Sequence, residues 1–63
     1  MFATQIRNTK IGEYIKRTAD ARGVYVRGEY VKQRKSFACY AFDDISKVIH
    51  IKADKWIFVG FDF

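Results

Sequence analysis

Residues 24–42 read VYVRGEYVKQRKSFACYAF and carry the strongest structural signal in the chain. Two parts of this stretch, Val24–Val31 and Ser36–Phe42, are rich in β-branched and aromatic residues, which favour strands. Gln33–Lys35 between them is a polar gap of hairpin length, although it lacks the Gly or Asn that usually occupies such a connection. The stretch therefore predicts two antiparallel strands joined by a tight turn.

Three further runs extend this pattern on both sides of the hairpin. Glu13–Thr18 predicts a first strand, and Val48–Lys52 and Trp56–Phe61 predict the last two. Asp20–Gly23 has Asp first and Gly fourth, which is the order of a tight turn. Asp43–Val48 has a helical alternative, because aspartates cap helix starts well. That segment predicts at most one helical turn, or simply a hairpin connection.

Five short strands in 63 residues predict one all-β domain spanning residues 1–63. We expect a small five-stranded SH3-like barrel; an OB-like barrel and a twisted sheet completed by a dimer partner are the alternatives. Hydrophobic residues make up 49% of the chain and charged residues 30%, a globular rather than a disordered composition. A chain of this length buries only about 60% of its unfolded surface, so the predicted core is small.

Side chains alternate between the two faces of a strand, and this alternation predicts which residues form the core. The expected core residues are Val24, Val26, Phe37, Cys39, Ala41, Ile49, Ile51, Ile57, Val59 and Phe61. The opposite, outer face would then carry Tyr25, Arg27, Tyr40, Phe42, His50, Trp56 and Phe58. That outer face is unusual because it mixes aromatic rings with cations.

The positive charge of the chain is concentrated in its first half. Twelve Lys and Arg against seven Asp and Glu give a net charge of +5. Residues 1–35 hold nine of the basic and three of the acidic residues, whereas residues 36–63 hold three and four. A one-sided basic surface predicts an acidic partner, which could be nucleic acid, an anionic membrane or an acidic protein face. No run approaches the ~20 apolar residues of a membrane span, so we expect no membrane partner.

Aromatic rings interleaved with cations suit the binding of unpaired bases and phosphates. The residues expected to stack on or clamp a ligand are Tyr25, Arg27, Tyr40 and Trp56. Those expected to contact phosphate are Arg22, Lys32, Arg34 and Lys35. The same aromatic residues equally suit packing inside a barrel or a protein interface, since Tyr, Trp and Arg dominate interface hot spots.

No catalytic or metal-binding pattern is present, so we expect a binding protein that is no enzyme and uses no cofactor. His50 is the only histidine and lies in an apolar strand. Cys39 is the only cysteine, which excludes an internal disulfide and indicates a reducing, cytoplasmic setting. The first residues lack the apolar core of a signal peptide, which agrees with that expectation. The aspartates Asp43, Asp44 and Asp54 lack the glycine spacing of a calcium loop.

Three motifs, VYVRGEY at 24–30, CYAFDD at 39–44 and KADKWIFVGF at 52–61, together resemble short uncharacterised proteins of phages and mobile elements. Those proteins share the pattern VYVRGxY…CxxFDD…KxDxxxFVGF, and the resemblance covers about residues 12–63. It implies a compact accessory protein of the host-cell cytoplasm and transfers no site residue.

We therefore expect a phage-type accessory module whose basic, aromatic face binds nucleic acid. The first alternative is a small inhibitor or adaptor that docks on a host protein, such as a nucleic-acid-processing or defence factor. The second is a homodimeric structural module that covers its aromatic face with a second copy.

Overall fold

The computed structural model describes residues 1–62, which form strands and two short 3-10 turns. The strands are β1 (Phe2–Gln5), β2 (Tyr14–Ile15), β3 (Tyr25–Val31), β4 (Ser36–Ala41), β5 (Asp44–Lys52) and β6 (Trp56–Val59). The 3-10 turns span Ile6–Asn8 and Lys32–Arg34. The predicted all-β class is thus confirmed, and β3, β4 and β6 begin at or next to the residues where the sequence predicted them.

The strands form two antiparallel sheets. Strands β2, β3, β4 and β5 are neighbours in chain order in one sheet, and β1 pairs with β6 in the other. Within the described residues, one bridge joins the sheets, in which Lys16 and Phe58 exchange two backbone hydrogen bonds of 2.9 Å each. Six strands in two sheets stand in place of the predicted five, and across residues 1–62 β1 and β5 do not pair to close a barrel.

The reason why the barrel stays open lies just after β1. The chain leaves β1 in a 3-10 turn, and the Ile6 N–H donates to the Lys55 carbonyl at 2.9 Å. The next N–H, that of Arg7, donates to the Ala53 carbonyl at 3.3 Å. These bonds attach the segment to the β5–β6 connection rather than to β5 itself. Strands β1 and β5 therefore remain the two edges of the structure.

The core lies between the two sheets. Its buried cluster contains Ile6, Ile15, Phe37, Cys39, Ile51, Ile57 and Val59, with Tyr25, Ile49 and Ala53 packed against it. Phe37, Cys39, Ala41, Ile51, Ile57 and Val59 confirm the predicted core. Ile6 and Ile15 are fully buried and were not predicted. The remaining predicted core residues, Val24, Val26, Ile49 and Phe61, are only partly buried.

Strand β3 turns toward the core the face that was expected to point outward, so the predicted orientation of this strand was wrong. Tyr25 pairs with Ala41 and Arg27 with Cys39, which places Tyr25 and Arg27 on the core side of the sheet. Val26 pairs with Tyr40 on the outward side. The small side chains of Cys39 and Ala41 leave room for the larger Tyr and Arg opposite them. Alternation alone predicted the other face, because Val24 and Val26 are more apolar than Arg27 and Glu29; the pairing with β4 decides the face instead.

A β-bulge interrupts the pairing of β3 with β4. Gly28 and Glu29 together oppose Ala38, between the Arg27–Cys39 and Tyr30–Phe37 pairs. A Cβ at position 28 would lie 2.7 Å from the Ala38 carbonyl oxygen and 2.6 Å from Cε2 of Tyr40. Glycine is therefore required here by the close approach of the neighbouring strand.

Each hairpin of the large sheet has its own connection. Between β3 and β4 the turn ends at Lys35, whose φ of 51° lies in the left-handed region. Between β4 and β5, Ala41 pairs with Asp44, which leaves only Phe42 and Asp43 in the turn. Three residues, Ile45–Lys47, then bulge out before the regular pairing of β5 resumes. The segment 43–48 therefore contains the last turn residue and the bulged start of β5, which agrees with the hairpin alternative and not with a helical turn.

Candidate functional site

A groove of about 660 Å³ runs between the β2–β3 loop and the connection from β5 to β6. We call it the cationic groove; it is lined by Arg17, Thr18, Ala21, Gly23, Tyr25, His50, Ile51, Lys52, Lys55, Trp56 and Ile57. Among residues 1–62, its lining includes three cationic side chains and the aromatic rings of Tyr25 and Trp56 but no Asp or Glu. The groove therefore has a positive potential that attracts anions.

One wall of the groove is the β5–β6 connection, which several backbone bonds hold in place. The Lys55 N–H donates to the Lys52 carbonyl at 3.0 Å and closes the turn, so the two lysines stand at its two ends. The side chain of Gln5 donates from Nε2 to the Asp54 carbonyl at 3.1 Å. This wall is consequently preorganised, which lowers the entropy lost on binding a ligand.

The opposite wall is the loop that follows β2. The bridge between Lys16 and Phe58 fixes the start of this loop against β6, so Arg17 lies beside the last strand. Farther along, the Thr18 hydroxyl donates to Asp20 Oδ1 at 3.0 Å, and the Ala21 N–H donates to the Thr18 carbonyl. The Asp20 carboxylate is thereby engaged within the loop and does not line the groove.

The two aromatic residues of the groove differ in exposure. Trp56 is 63% exposed, although it lies within a strand and pairs with Gln5. Tyr25 is half-buried and packs against the core. A large exposed indole beside cations suits stacking of a planar ring such as a nucleobase.

The four residues predicted to stack or clamp do not form one surface. Tyr25 and Trp56 lie in the cationic groove. The Arg27 guanidinium instead lies over the Phe37 ring, with 4.0 Å between its Cζ and the ring centroid. Tyr40 lies on the outward face of the sheet, where its hydroxyl donates to Glu29 Oε1 at 2.9 Å. The predicted platform is therefore divided among three places.

The residues predicted to bind phosphate are divided as well. Arg22 lies next to the cationic groove and lines a second pocket of about 440 Å³ with Gly23, Val24, Phe42 and Asp43. Lys32, Arg34 and Lys35 lie at the tip of the β3–β4 hairpin, exposed to solvent, and line neither pocket. Only Arg22 of this group is thus close to the groove.

Three cations of the groove, Arg17, Lys52 and Lys55, were not predicted as site residues. Arg17 lies in the run that predicted the first strand, and the two lysines flank a turn in the half of the chain with a slight negative balance. The available signal was the pair of lysines three apart across a turn, next to the tryptophan. The two lysines lie near Arg17 only because the bridge between residues 16 and 58, which are remote in sequence, brings the two segments together.

Titratable groups outside the groove have ordinary structural causes for their shifts. Burial raises the pKa of the Cys39 thiol to about 11, so the thiol stays protonated and unreactive at neutral pH. A backbone hydrogen bond and the Tyr40 hydroxyl lower the pKa of Glu29, and the same Tyr40–Glu29 bond raises the pKa of Tyr40. Residues 1–62 contain no cluster of three His, Cys, Asp or Glu side chains arranged to hold a metal ion.

Within the described part of the chain, no helix has the length and apolar character needed to cross a membrane. Comparisons with protein-family models, with curated proteins and with solved structures found no match for this chain.

Proposed function

We propose that the protein is a non-enzymatic module that binds nucleic acid in the cationic groove. This proposal is supported by one groove that brings Arg17, Lys52 and Lys55 together with the exposed Trp56 and that no carboxylate of the described residues lines. Every nucleotide combines a planar base with an anionic phosphate. Trp56 would bind the base, and the three cations would bind phosphates. Base stacking on an aromatic residue is worth about 1–3 kcal/mol, and the pairing of cations with phosphates adds a salt-dependent attraction.

The groove residues take different parts in this binding. Trp56 offers its indole to a base, and the half-buried Tyr25 forms part of the apolar surface beside it. The planar fork of Arg17 suits two hydrogen bonds to one phosphate, whereas Lys52 and Lys55 act as point charges. The protein would thus recognise the backbone and the ring faces of its ligand.

We further propose a barrel-like fold and a phage-type biological setting for this protein. Two bent sheets around one small core are compatible with an open relative of the SH3-like barrel, in which β1 and β5 stay unpaired. The sequence pattern adds the prediction of a phage-type accessory protein that acts in the host cytoplasm.

Titration of labelled single- and double-stranded DNA and RNA at several salt concentrations tests the proposal, with Trp56 fluorescence as a second signal. Arg17→Ala and Lys55→Ala should each weaken binding several-fold and reduce the salt slope by about 0.7 for each single-strand phosphate that is no longer neutralised. Lys35→Ala is the matched control, because it removes the same charge at the hairpin tip outside the groove. Equal effects of Lys35→Ala and Lys55→Ala, or no binding at low salt, would overturn the proposal.

A second candidate function is favoured by the outward face of the large sheet. Tyr14, Val26, Tyr40 and Val48 are consecutive cross-strand partners and form one apolar row across β2, β3, β4 and β5. Such a row suits a protein partner, either a host protein or a second copy of this chain. Sedimentation of the wild type and of Val48→Asp tests the second copy: a dimer that dissociates in the variant supports it, and a wild-type monomer excludes it.

A further inference from the structure

The second pocket adjoins the cationic groove, and Gly23 lines both. This pocket repeats the combination found in the groove, since it contains one exposed aromatic ring, Phe42, and one cation, Arg22. We infer that the two pockets form one continuous track for a single-stranded nucleic acid, with one base stacked on Trp56 and another on Phe42. This inference rests on the proposed function and extends it to the class of ligand and the path of the strand.

Phe42 is well placed for stacking. It is one of the two residues of the tight β4–β5 turn and is 55% exposed. Its ring also meets Tyr14 edge to face, with 5.7 Å between the centroids and 83° between the planes. That interaction restrains the orientation of the ring while leaving more than half of the residue accessible. Stacking a base on Phe42 would therefore cost little further side-chain entropy.

The strand between the two rings would pass over Gly23. A Cβ at this position would meet no heavy atom of residues 1–62 within 4 Å, so these residues leave the space above Gly23 open. The glycine thus leaves a gap between the pockets through which a sugar-phosphate backbone can run. Arg17 on one side and Arg22 on the other then provide cations along the path.

This arrangement requires unpaired bases. In a duplex, both faces of each base are covered by the neighbouring base pairs, so a side chain can stack only on bases that have left the helix. Two stacking rings on either side of one loop demand at least two such bases in the same strand. The track should therefore prefer a single strand to a duplex of the same sequence.

The second pocket also contains a carboxylate, that of Asp43. Carboxylate oxygens accept hydrogen bonds, and the exocyclic amino groups of cytosine, adenine and guanine donate them. Uracil has no exocyclic amino group and offers only its ring N3–H as a donor. The base stacked on Phe42 should consequently be an amino-bearing one, which gives the track a composition preference at one of its two positions.

Binding of cytidine oligonucleotides of increasing length tests the track. For the wild type, affinity should rise steeply once the oligonucleotide is long enough to reach both pockets. Phe42→Ala should abolish this rise and weaken the longer oligonucleotides about ten-fold, the loss of one stacked base, while cytidine monophosphate still quenches Trp56. Asp43→Ala should reduce the preference for cytidine over uridine oligonucleotides of equal length.

Gly23→Leu provides an independent variant, because its Cβ would meet no heavy atom of the described residues within 4 Å and its branched side chain would extend into the path. Gly23→Ala is the control with a smaller side chain. If Phe42→Ala and Gly23→Leu bind long strands as tightly as the wild type while Arg17→Ala binds weakly, the track is wrong and the groove alone binds. Equal affinity for duplex and single strand also overturns the track. Absence of any nucleic-acid binding by the wild type overturns the proposed function itself.

Discussion

At the scale of single residues, Arg27 shows how a strand face changes the role of a side chain. The sequence pattern placed Arg27 on an outer face, where a guanidinium would meet a ligand. The structure places it on the core side, with its Nε buried and without a hydrogen-bond partner in the described part of the chain. The Phe37 ring lies beneath the guanidinium and stabilises its charge by a cation–π interaction.

Arg27→Ala should therefore lower stability and leave nucleic-acid affinity unchanged. The variant lacks both the cation–π interaction with Phe37 and the packing of the Arg27 side-chain stem, about 1–2 kcal/mol in total. Urea denaturation and a binding titration on the same sample measure the two effects separately. A normal unfolding midpoint with weakened binding would show that Arg27 acts at the ligand instead.

Gly28 is a second residue whose role is decided by its surroundings. Gly28→Ala should destabilise the fold by about 1–3 kcal/mol, because the new methyl group would overlap the Ala38 carbonyl and the Tyr40 ring. Gly23→Ala is the matched control, since its methyl group enters open space. Thermal unfolding of both variants decides the point, and equal midpoints would contradict the close approach seen at the bulge.

At the scale of secondary-structure elements, the β4–β5 hairpin depends on one aspartate. Asp44 Oδ1 accepts the Ser46 hydroxyl at 2.6 Å and the Ser46 N–H at 3.2 Å, which shapes the three-residue bulge of β5. These two bonds lower the pKa of Asp44 from its ordinary value of 3.8. A group whose pKa is lowered on folding stabilises the folded state above its unfolded pKa. That contribution disappears as the pH falls below 3.8 and through the folded pKa.

Ser46→Ala should move the titration midpoint of Asp44 upward, towards 3.8, because the hydroxyl that bonds the carboxylate is removed. Carboxyl carbon shifts followed by NMR against pH measure the midpoint directly. The variant should also lose less stability than the wild type between neutral pH and pH values below the Asp44 midpoint. An unchanged midpoint would mean that the hydroxyl does not stabilise the carboxylate in solution.

The elements also show what the sequence could predict and what it could not. Strands β3 and β4 were predictable because each is a continuous run of strand-forming residues. Strand β1, with the sequence FATQ, contains no such run and is a strand because it pairs with β6. The face of β3 was mispredicted because the choice depends on which side chains lie opposite in β4. Likewise, Trp56 could be predicted as a site residue from its type, whereas Arg17 required the remote Lys16–Phe58 bridge.

At the scale of the whole molecule, the fold is compact but has little interior. The radius of gyration is 10.6 Å, and the principal extents are 32, 24 and 16 Å. At 0.05–0.15 kcal/mol per residue, a chain of this length has about 3–9 kcal/mol of stability in total. Ligand binding can therefore change its stability by a large fraction.

A single-stranded oligonucleotide at a hundred times its Kd should stabilise the folded protein by about 2.7 kcal/mol. For a domain of this size, that corresponds to a rise in Tm of about 10–20 °C. Differential scanning fluorimetry or calorimetry measures the shift, and Lys55→Ala at the same ligand concentration is the control. A sulfated polysaccharide that raises Tm as much as the oligonucleotide would show that charge alone, without base stacking, drives the binding.

The pairing of β1 with β6 has a consequence for how the chain folds. Phe2 lies opposite Val59, so the two-stranded sheet joins residues from nearly opposite ends of the sequence. Pairing between such distant residues carries a high loop-closure cost and slows folding. During synthesis, the first strand must wait without its partner until residue 59 has been made. The two-stranded sheet can therefore form only after residue 59 has emerged from the ribosome, and until then β1 is an unpaired strand.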